Sequence, residues 1–266
     1  MKTQLITSAL RFRRTAFTAL AMSAMAVASA HANLVTDGSF GTTGGSGQIG
    51  FESYNISPWT NVTVTNGAAA ANAYNFLYSA GAPTAFGQYG SVTMAGSEPP
   101  RLNGGNFVAL DGDFNTSGGT TGVAIGQTIG GLTATDQYTV SFYMAAAQQT
   151  GFSGSTTEQL QVGLGSQLID TTPVISLGPQ GNPTWSSLIT LTFTATSSSE
   201  VLSFLAIGTP ANQPTFALLD GVDMEQVTSG PPPTTPEPGS LTLLSTGLLG
   251  LAGFLRSRYK KAAVSL

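Results

Sequence analysis

Between Asn33 and about Gly230 the chain offers carboxylates, hydroxyls, amides and aromatic rings, and little else that can do chemistry. There is no cysteine, and the only histidine is His31. Of nine Lys and Arg residues, Lys2, Arg11, Arg13 and Arg14 lie near the start, and Arg256, Arg258, Lys260 and Lys261 near the end. Arg101 is the one cation left in between. Twelve of the thirteen acids stay in that central part, so its formal charge is −11. Such a segment cannot build a Ser-His-Asp or Cys-His site, nor a His/Cys zinc site. It has no lysine for a Schiff base. Its negative charge argues against nucleic acid and against anionic lipid surfaces. Carboxylates and amides remain suited to calcium and to sugars, and a carboxylate pair could hydrolyse a glycoside.

The spacing of the candidates sharpens these options. Asp111-Gly112-Asp113-Phe114-Asn115 starts like a calcium loop, but its twelfth position is Gly122 and not the Glu an EF-hand requires. Asp111 and Asp113 would stand ~6.6 Å apart on one strand face, inside the ~5–9.5 Å that glycosidase carboxylates span. The other reading is a strand running into a Gly/Ser/Thr turn. Trp59, Trp185, Tyr54 and Tyr89 could stack on sugar rings or fill a core. Arg101 could clamp a sugar acid or pair with a nearby carboxylate.

The elements that must position these groups are strands. Alternation is clear at Tyr138–Ala145, where Tyr138, Val140, Phe142 and Met144 share a face, and at Leu188–Ala195, where Ile189, Leu191 and Phe193 do. Further strands are expected at Leu34-Val35, Val62–Thr65, Tyr74–Tyr78, Asn106–Asp111, Val123–Ile129, Gln159–Leu164, Val201–Ile207 and Phe216–Met224. Gly41–Gly50 reads as a Gly-rich loop. Gly81–Gly105 reads mostly as loop, because Pro83, Pro99 and Pro100 oppose central-strand pairing. No helix period is visible in this region. Eight to ten strands with one apolar face each predict an all-β fold, a two-sheet antiparallel jelly-roll sandwich over residues 33–227.

Both ends read as addresses. The basic start, the apolar run Thr15–Val27 and the small-x-small triplet Ala30-His31-Ala32 predict a signal peptide over residues 1–32. The secretion machinery and signal peptidase are its expected partners, with the mature chain starting at Asn33 and a cut after Ala30 as the alternative. Residues 228–235 are a Pro/Thr linker. Pro236-Glu237-Pro238 then precedes an uncharged run, Leu241–Leu255, and the basic tail of Arg256, Arg258, Lys260 and Lys261. Fifteen helical residues span ~22 Å, short of a ~30 Å hydrocarbon core, but the basic side chains can snorkel. The cationic end is expected to stay in the cytoplasm, with the preceding domain outside.

Residues 236–261 resemble the PEP-CTERM sorting signal of Gram-negative bacteria, with its motif, short transmembrane helix and basic end in the right order. The resemblance implies recognition and processing by an exosortase, an integral-membrane cysteine protease-transpeptidase. It also implies an association with exopolysaccharide and biofilm matrix. A second resemblance lies in NLVTDGSF, GQTIGGLTATDQYTVSFYMA and FALLDGVDM, which look like the galactose-binding-like jelly roll of carbohydrate-binding modules. That fold implies first and last strands lying near each other. It also implies a structural calcium, which Asp37 and Asp220 would hold here, although Gly41 stands where the family pattern has an acid. Asp37 as a turn residue and Asp220 as an edge carboxylate is the competing reading.

Together these readings predict an exported, non-enzymatic surface or matrix protein. It would be anchored transiently in the inner membrane and then moved to the cell surface or beyond. Its jelly roll would bind carbohydrate, with Trp59 and Arg101 as ligand contacts. A carboxylate-dependent glycoside hydrolase and a structural coat domain without ligand are the rivals.

Overall fold

Valine, isoleucine, threonine and aromatic residues in alternation suit a pleated, half-buried surface, and strands are what they form. The computed structural model describes residues 32–41, 45–64, 74–97, 102, 105–112, 122–165, 167–210 and 212–227. The leader up to His31 with Ala30, Arg101, Asp113, the linker, Pro236-Glu237-Pro238, Leu241–Leu255 and the basic tail all lie outside them. The elements are β1 (Gly47–Gln48), β2 (Thr60–Val64), β3 (Phe76–Tyr78), β4 (Thr84–Gly87), β5 (Gly90–Thr93), β6 (Phe107–Asp111) and β7 (Gly122–Gly130). They continue as β8 (Gln137–Gln148), β9 (Thr156–Leu164), β10 (Gln167–Thr171), β11 (Ile175–Leu177), β12 (Ile189–Thr194), β13 (Ser199–Thr209) and β14 (Thr215–Gln226).

Two sheets result. One runs β12-β8-β14-β6-β3-β1-β4-β5, and the other β10-β9-β13-β7-β2 with β11 beside β9. Pairing is antiparallel except between β1 and β4. The expected all-β, two-sheet sandwich is present. Its core holds Val140, Phe142 and Met144 from β8 against Leu160 and Val162 from β9 and Leu202 and Phe204 from β13. Fully burying each such side chain contributes roughly 1.5–3 kcal/mol.

Three expectations are corrected. The stretch read as loop after Gly81 contains the β4–β5 hairpin, and the Gly-rich stretch before Gly50 contributes β1. Leu34-Val35 is not a ladder strand. The opening segment instead bridges both sheets. Leu34 N–H donates to the Met224 carbonyl of β14 at 2.9 Å, and Val222 N–H donates to the Gly38 carbonyl at 3.0 Å. In the other sheet, the Gln127 amide accepts from Thr36 N–H at 2.8 Å and donates to the Thr36 carbonyl at 2.7 Å. The start and the last strand are therefore neighbours, as the resemblance implied.

The eight-stranded sheet also bends back on itself. Ala95 N–H donates to the Gln148 carbonyl at 2.7 Å, and Thr150 N–H to the Thr93 carbonyl at 2.8 Å. The end of β5 thereby meets the end of β8, although five strands lie between them in the sheet order. This closure explains why the sheet is apolar on both faces. Its second face buries Phe76, Tyr78, Val92, Phe107, Phe216 and Leu218 in a core of their own. Tyr78 and Phe107 stack there at 5.3 Å, and the Tyr78 hydroxyl donates to the Val92 carbonyl across the lobe at 2.9 Å.

Candidate functional site

The second core has an aromatic margin. Tyr74 enters β3 half-buried, packs edge-on against Phe76 at 4.6 Å and lies 6.4 Å from Phe216. Tyr89 sits at the tip of the β4–β5 hairpin, where Gly87 to Gly90 reverse the chain. Gly90 adopts φ +108°, a conformation side-chain-bearing residues rarely reach. Gln88 N–H donates to the Gln48 side chain at 2.9 Å and fixes the tip against β1. Tyr89 is thus carried outward, 71 % exposed, with its ring 6.0 Å from that of Tyr74. Burial, then the Asp111 carboxylate and Tyr89, push the Tyr74 hydroxyl above its ordinary pKa. Tyr74 therefore remains a neutral donor at physiological pH. Asp111 ends β6 buried, opposite Phe216 of β14. On the outer side of β4, exposed Phe86 stands 6.2 Å from Phe51.

The margin sets the exposed Tyr89 ring beside the half-buried Tyr74 phenol, with the Asp111 carboxylate buried behind them. That is the chemistry of sugar recognition: an apolar ring to stack on and directed hydrogen-bonding groups beside it.

The other sequence candidates fall elsewhere. Trp59 is 1 % exposed, wedged between Phe40 at 5.5 Å and Phe204 at 6.0 Å, with its indole N–H on the Asp37 carbonyl at 3.1 Å. Trp59 as a sugar platform is therefore corrected: both ring faces are spent on the core. Trp185 is half-buried and meets Phe107 edge-on at 5.9 Å. Tyr54 lies over Gly47, where any Cβ would strike its ring. Of the four aromatics singled out from the sequence, Tyr89 alone is largely exposed. Tyr74 was missed as a site residue, since its strand-start position gave no signal of the hairpin beside it.

Asp37 and Asp220 come to one seam, because Gly38 and Val222 are hydrogen-bonded. Asp37 has φ 52°, and its carboxylate accepts Gly41 N–H at 2.7 Å, so it closes a turn. Asp220 is 1 % exposed, and its Oδ1 accepts Gly221 N–H at 2.6 Å within an irregularity of the β8–β14 ladder. Among the described residues no three His, Cys, Asp or Glu side chains cluster as a metal site. Calcium there would draw on Asp220, backbone carbonyls and the neighbouring turn. The remaining buried acids are separate. Glu158 lies inside one end of the sandwich, and Glu200 accepts from the backbone and hydroxyl of Thr196 in the turn before β13.

No protein-family model matches the sequence, and no curated protein matches it. Among solved structures, similarity is found to the enzymatically active domain of bacteriophage CBA120 tailspike protein 4, with 14 % identity over 73 % of this chain and a TM-score of 0.34. The chain spans 21 % of that protein's length. TmCBM61 in complex with β-1,4-galactotriose shares 12 % identity, with 74 % of this chain and 99 % of that one covered, at a TM-score of 0.36. A putative sugar-binding protein from Bacteroides thetaiotaomicron shares 10 % identity, with 74 % of this chain and all of that one covered, at 0.33. The structural neighbours thus include carbohydrate-binding modules and sugar-binding proteins, at distances too great to carry a function from them to this chain.

Proposed function

We propose that this chain is an exported, non-catalytic carbohydrate-binding protein of the cell surface or extracellular matrix. The observation that carries the proposal is the Tyr74–Tyr89 pair, with Tyr89 71 % exposed and the half-buried Tyr74 phenol 6.0 Å from it, ring to ring. An exposed tyrosine at a hairpin tip presents a large, rigid, amphipathic face at small entropic cost. Pyranose rings dock on such faces through their axial C–H groups, and the protonated Tyr74 hydroxyl beside it can donate to a sugar oxygen. The central domain's formal charge of −11 makes neutral polysaccharides better partners than acidic ones, by simple repulsion.

Export and sorting complete the reading. The signal peptide delivers the domain, the Pro236-Glu237-Pro238 segment presents it to an exosortase, and Leu241–Leu255 holds it in the inner membrane until processing. A structural calcium held by Asp220 and the turn around Asp37 would stiffen the seam between the opening segment and β14. Affinity electrophoresis through gels containing soluble polysaccharides, neutral and acidic, tests the binding. Assay of the same panel for released reducing ends tests the absence of catalysis.

A further inference from the structure

The β4–β5 hairpin has a second face. Along β4, Ala85 and Gly87 are buried, while Phe86 between them points outward and is 42 % exposed. Val92 of β5 is buried with Ala85 in the second core, so Ser91 and Thr93 share the outer face with Phe86 and Thr84. Tyr89 leans the other way, toward Tyr74, which packs on that core. The two exposed rings of the hairpin therefore look out from opposite sides of it.

Phe86 has a partner in this position. Its ring lies 6.2 Å from that of Phe51. Phe51 sits in a turn that follows β1 and is closed by backbone hydrogen bonds. Phe51 N–H donates to the Gln48 carbonyl at 3.1 Å, Tyr54 N–H to the Phe51 carbonyl at 3.1 Å, and Gly50 N–H to the Tyr54 carbonyl at 2.8 Å. β1 pairs with β4 at Gly47 and Phe86, so both rings are mounted on neighbouring strands. Hydroxyls flank them. Ser91 is exposed and directly opposite Phe86 in the ladder, a pairing that holds Cβ atoms ~4.5–5.5 Å apart. Two residues along, the Thr84 and Thr93 hydroxyls bond to each other at 2.9 Å.

The chemistry of this face selects its occupant. Residues 38–97 include one charged side chain, Glu52, so a phosphate or a charged peptide finds little to pair with. Stable protein interfaces take roughly 800 Å² from each partner, more than two partly covered rings of about 150–250 Å² each can offer. A pyranose needs one ring face and a few directed hydroxyls.

We propose that Phe86, Phe51 and Ser91 form a second carbohydrate platform, so that one domain grips two neutral polysaccharide chains, one on each side of the hairpin. This rests on the reading of Tyr89 as the first platform. A domain with two such faces bridges polysaccharide chains without oligomerising.

The test uses the full chain with dextran, galactomannan and mixed-linkage β-glucan. Gel retardation reads binding, and light scattering of the protein–polysaccharide mixture reads bridging. Phe86→Ala and Tyr89→Ala each remove an exposed ring, and an unchanged Tm shows that the fold is kept. The expected result is a wild type that is retarded by a polysaccharide and raises its scattering. Each single variant is still retarded but no longer raises scattering, and the double variant migrates freely. Retardation and scattering of F86A equal to wild type overturn the proposal. So does a wild type that is retarded without raising scattering, or a wild-type dimer that F86A converts to a monomer without polysaccharide. If Y89A matches wild-type retardation while F86A loses it, the Tyr89 reading fails and the Phe86 platform stands alone. Free migration of the wild type in all three gels overturns both.

Discussion

The rings of Tyr74 and Tyr89 stand 6.0 Å apart although fourteen residues and a hairpin separate them. What joins them is the closure of the eight-stranded sheet, which turns β4 and β5 back over β3. The closure also makes a second core, so the candidate site and the stability of that lobe share a cause. The site is a margin of this core that stays open to solvent at Tyr89.

Phe107 is central to the lobe, stacked on Tyr78 and edge-on to Trp185. Phe107→Ala should cost about 3–5 kcal/mol, read from urea unfolding. Trp185 emission should shift to the red as its partner is lost. A cost near zero would mean that the lobe is not closed.

Gly38 lies against β14 so tightly that a Cβ would overlap the Val222 carbonyl oxygen. That atom is backbone and cannot swing away. Gly38→Ala should therefore loosen the opening segment at a cost of about 1–3 kcal/mol. Amide exchange at Leu34 and Val222 should accelerate before exchange at Phe142, in the middle of β8.

Asp223 is desolvated and lies near Glu225, and both effects raise its pKa, against a smaller lowering by the Met224 backbone N–H. A carboxyl raised in the folded state is most favourable when protonated. Its contribution is fully present below the ordinary value of 3.8 and is lost as pH rises through the folded value. Asp223→Asn should raise Tm slightly at pH 7, within the ~0.5 kcal/mol typical of surface changes. The gain should vanish below about pH 4. A gain of the same size at pH 3 would contradict this assignment.

Processing has its own readout. Intact-mass analysis of the chain from exosortase-positive and exosortase-null cells should show a shorter carboxyl end only in the former. Identical tails in both would end the sorting proposal.

The parts legible in the sequence are those with local cause. Tyr138, Val140, Phe142 and Met144 alternate because one face of β8 meets the sandwich core, and β8 lies where the alternation places it. The β4–β5 hairpin was illegible because only Ala85 and Val92 face its core and glycines interrupt it. Its stability comes from pairing with the distant end of β8. Trp59 shows the same limit: an aromatic after a proline fits a platform or a core, and only the approach of Phe40 and Phe204 decides. Tyr89 was visible as an aromatic candidate, but its partner Tyr74 becomes visible only once β3 and the hairpin are placed together.

The most direct test is the mobility of the full chain and of Tyr89→Ala in gels containing neutral polysaccharides. The account predicts retardation of the wild type by at least one neutral polysaccharide. It predicts about tenfold weaker retardation of the variant, a loss of about 1.4 kcal/mol, at an unchanged Tm. Equal retardation of both proteins, or free migration of the wild type through every neutral gel, would contradict it.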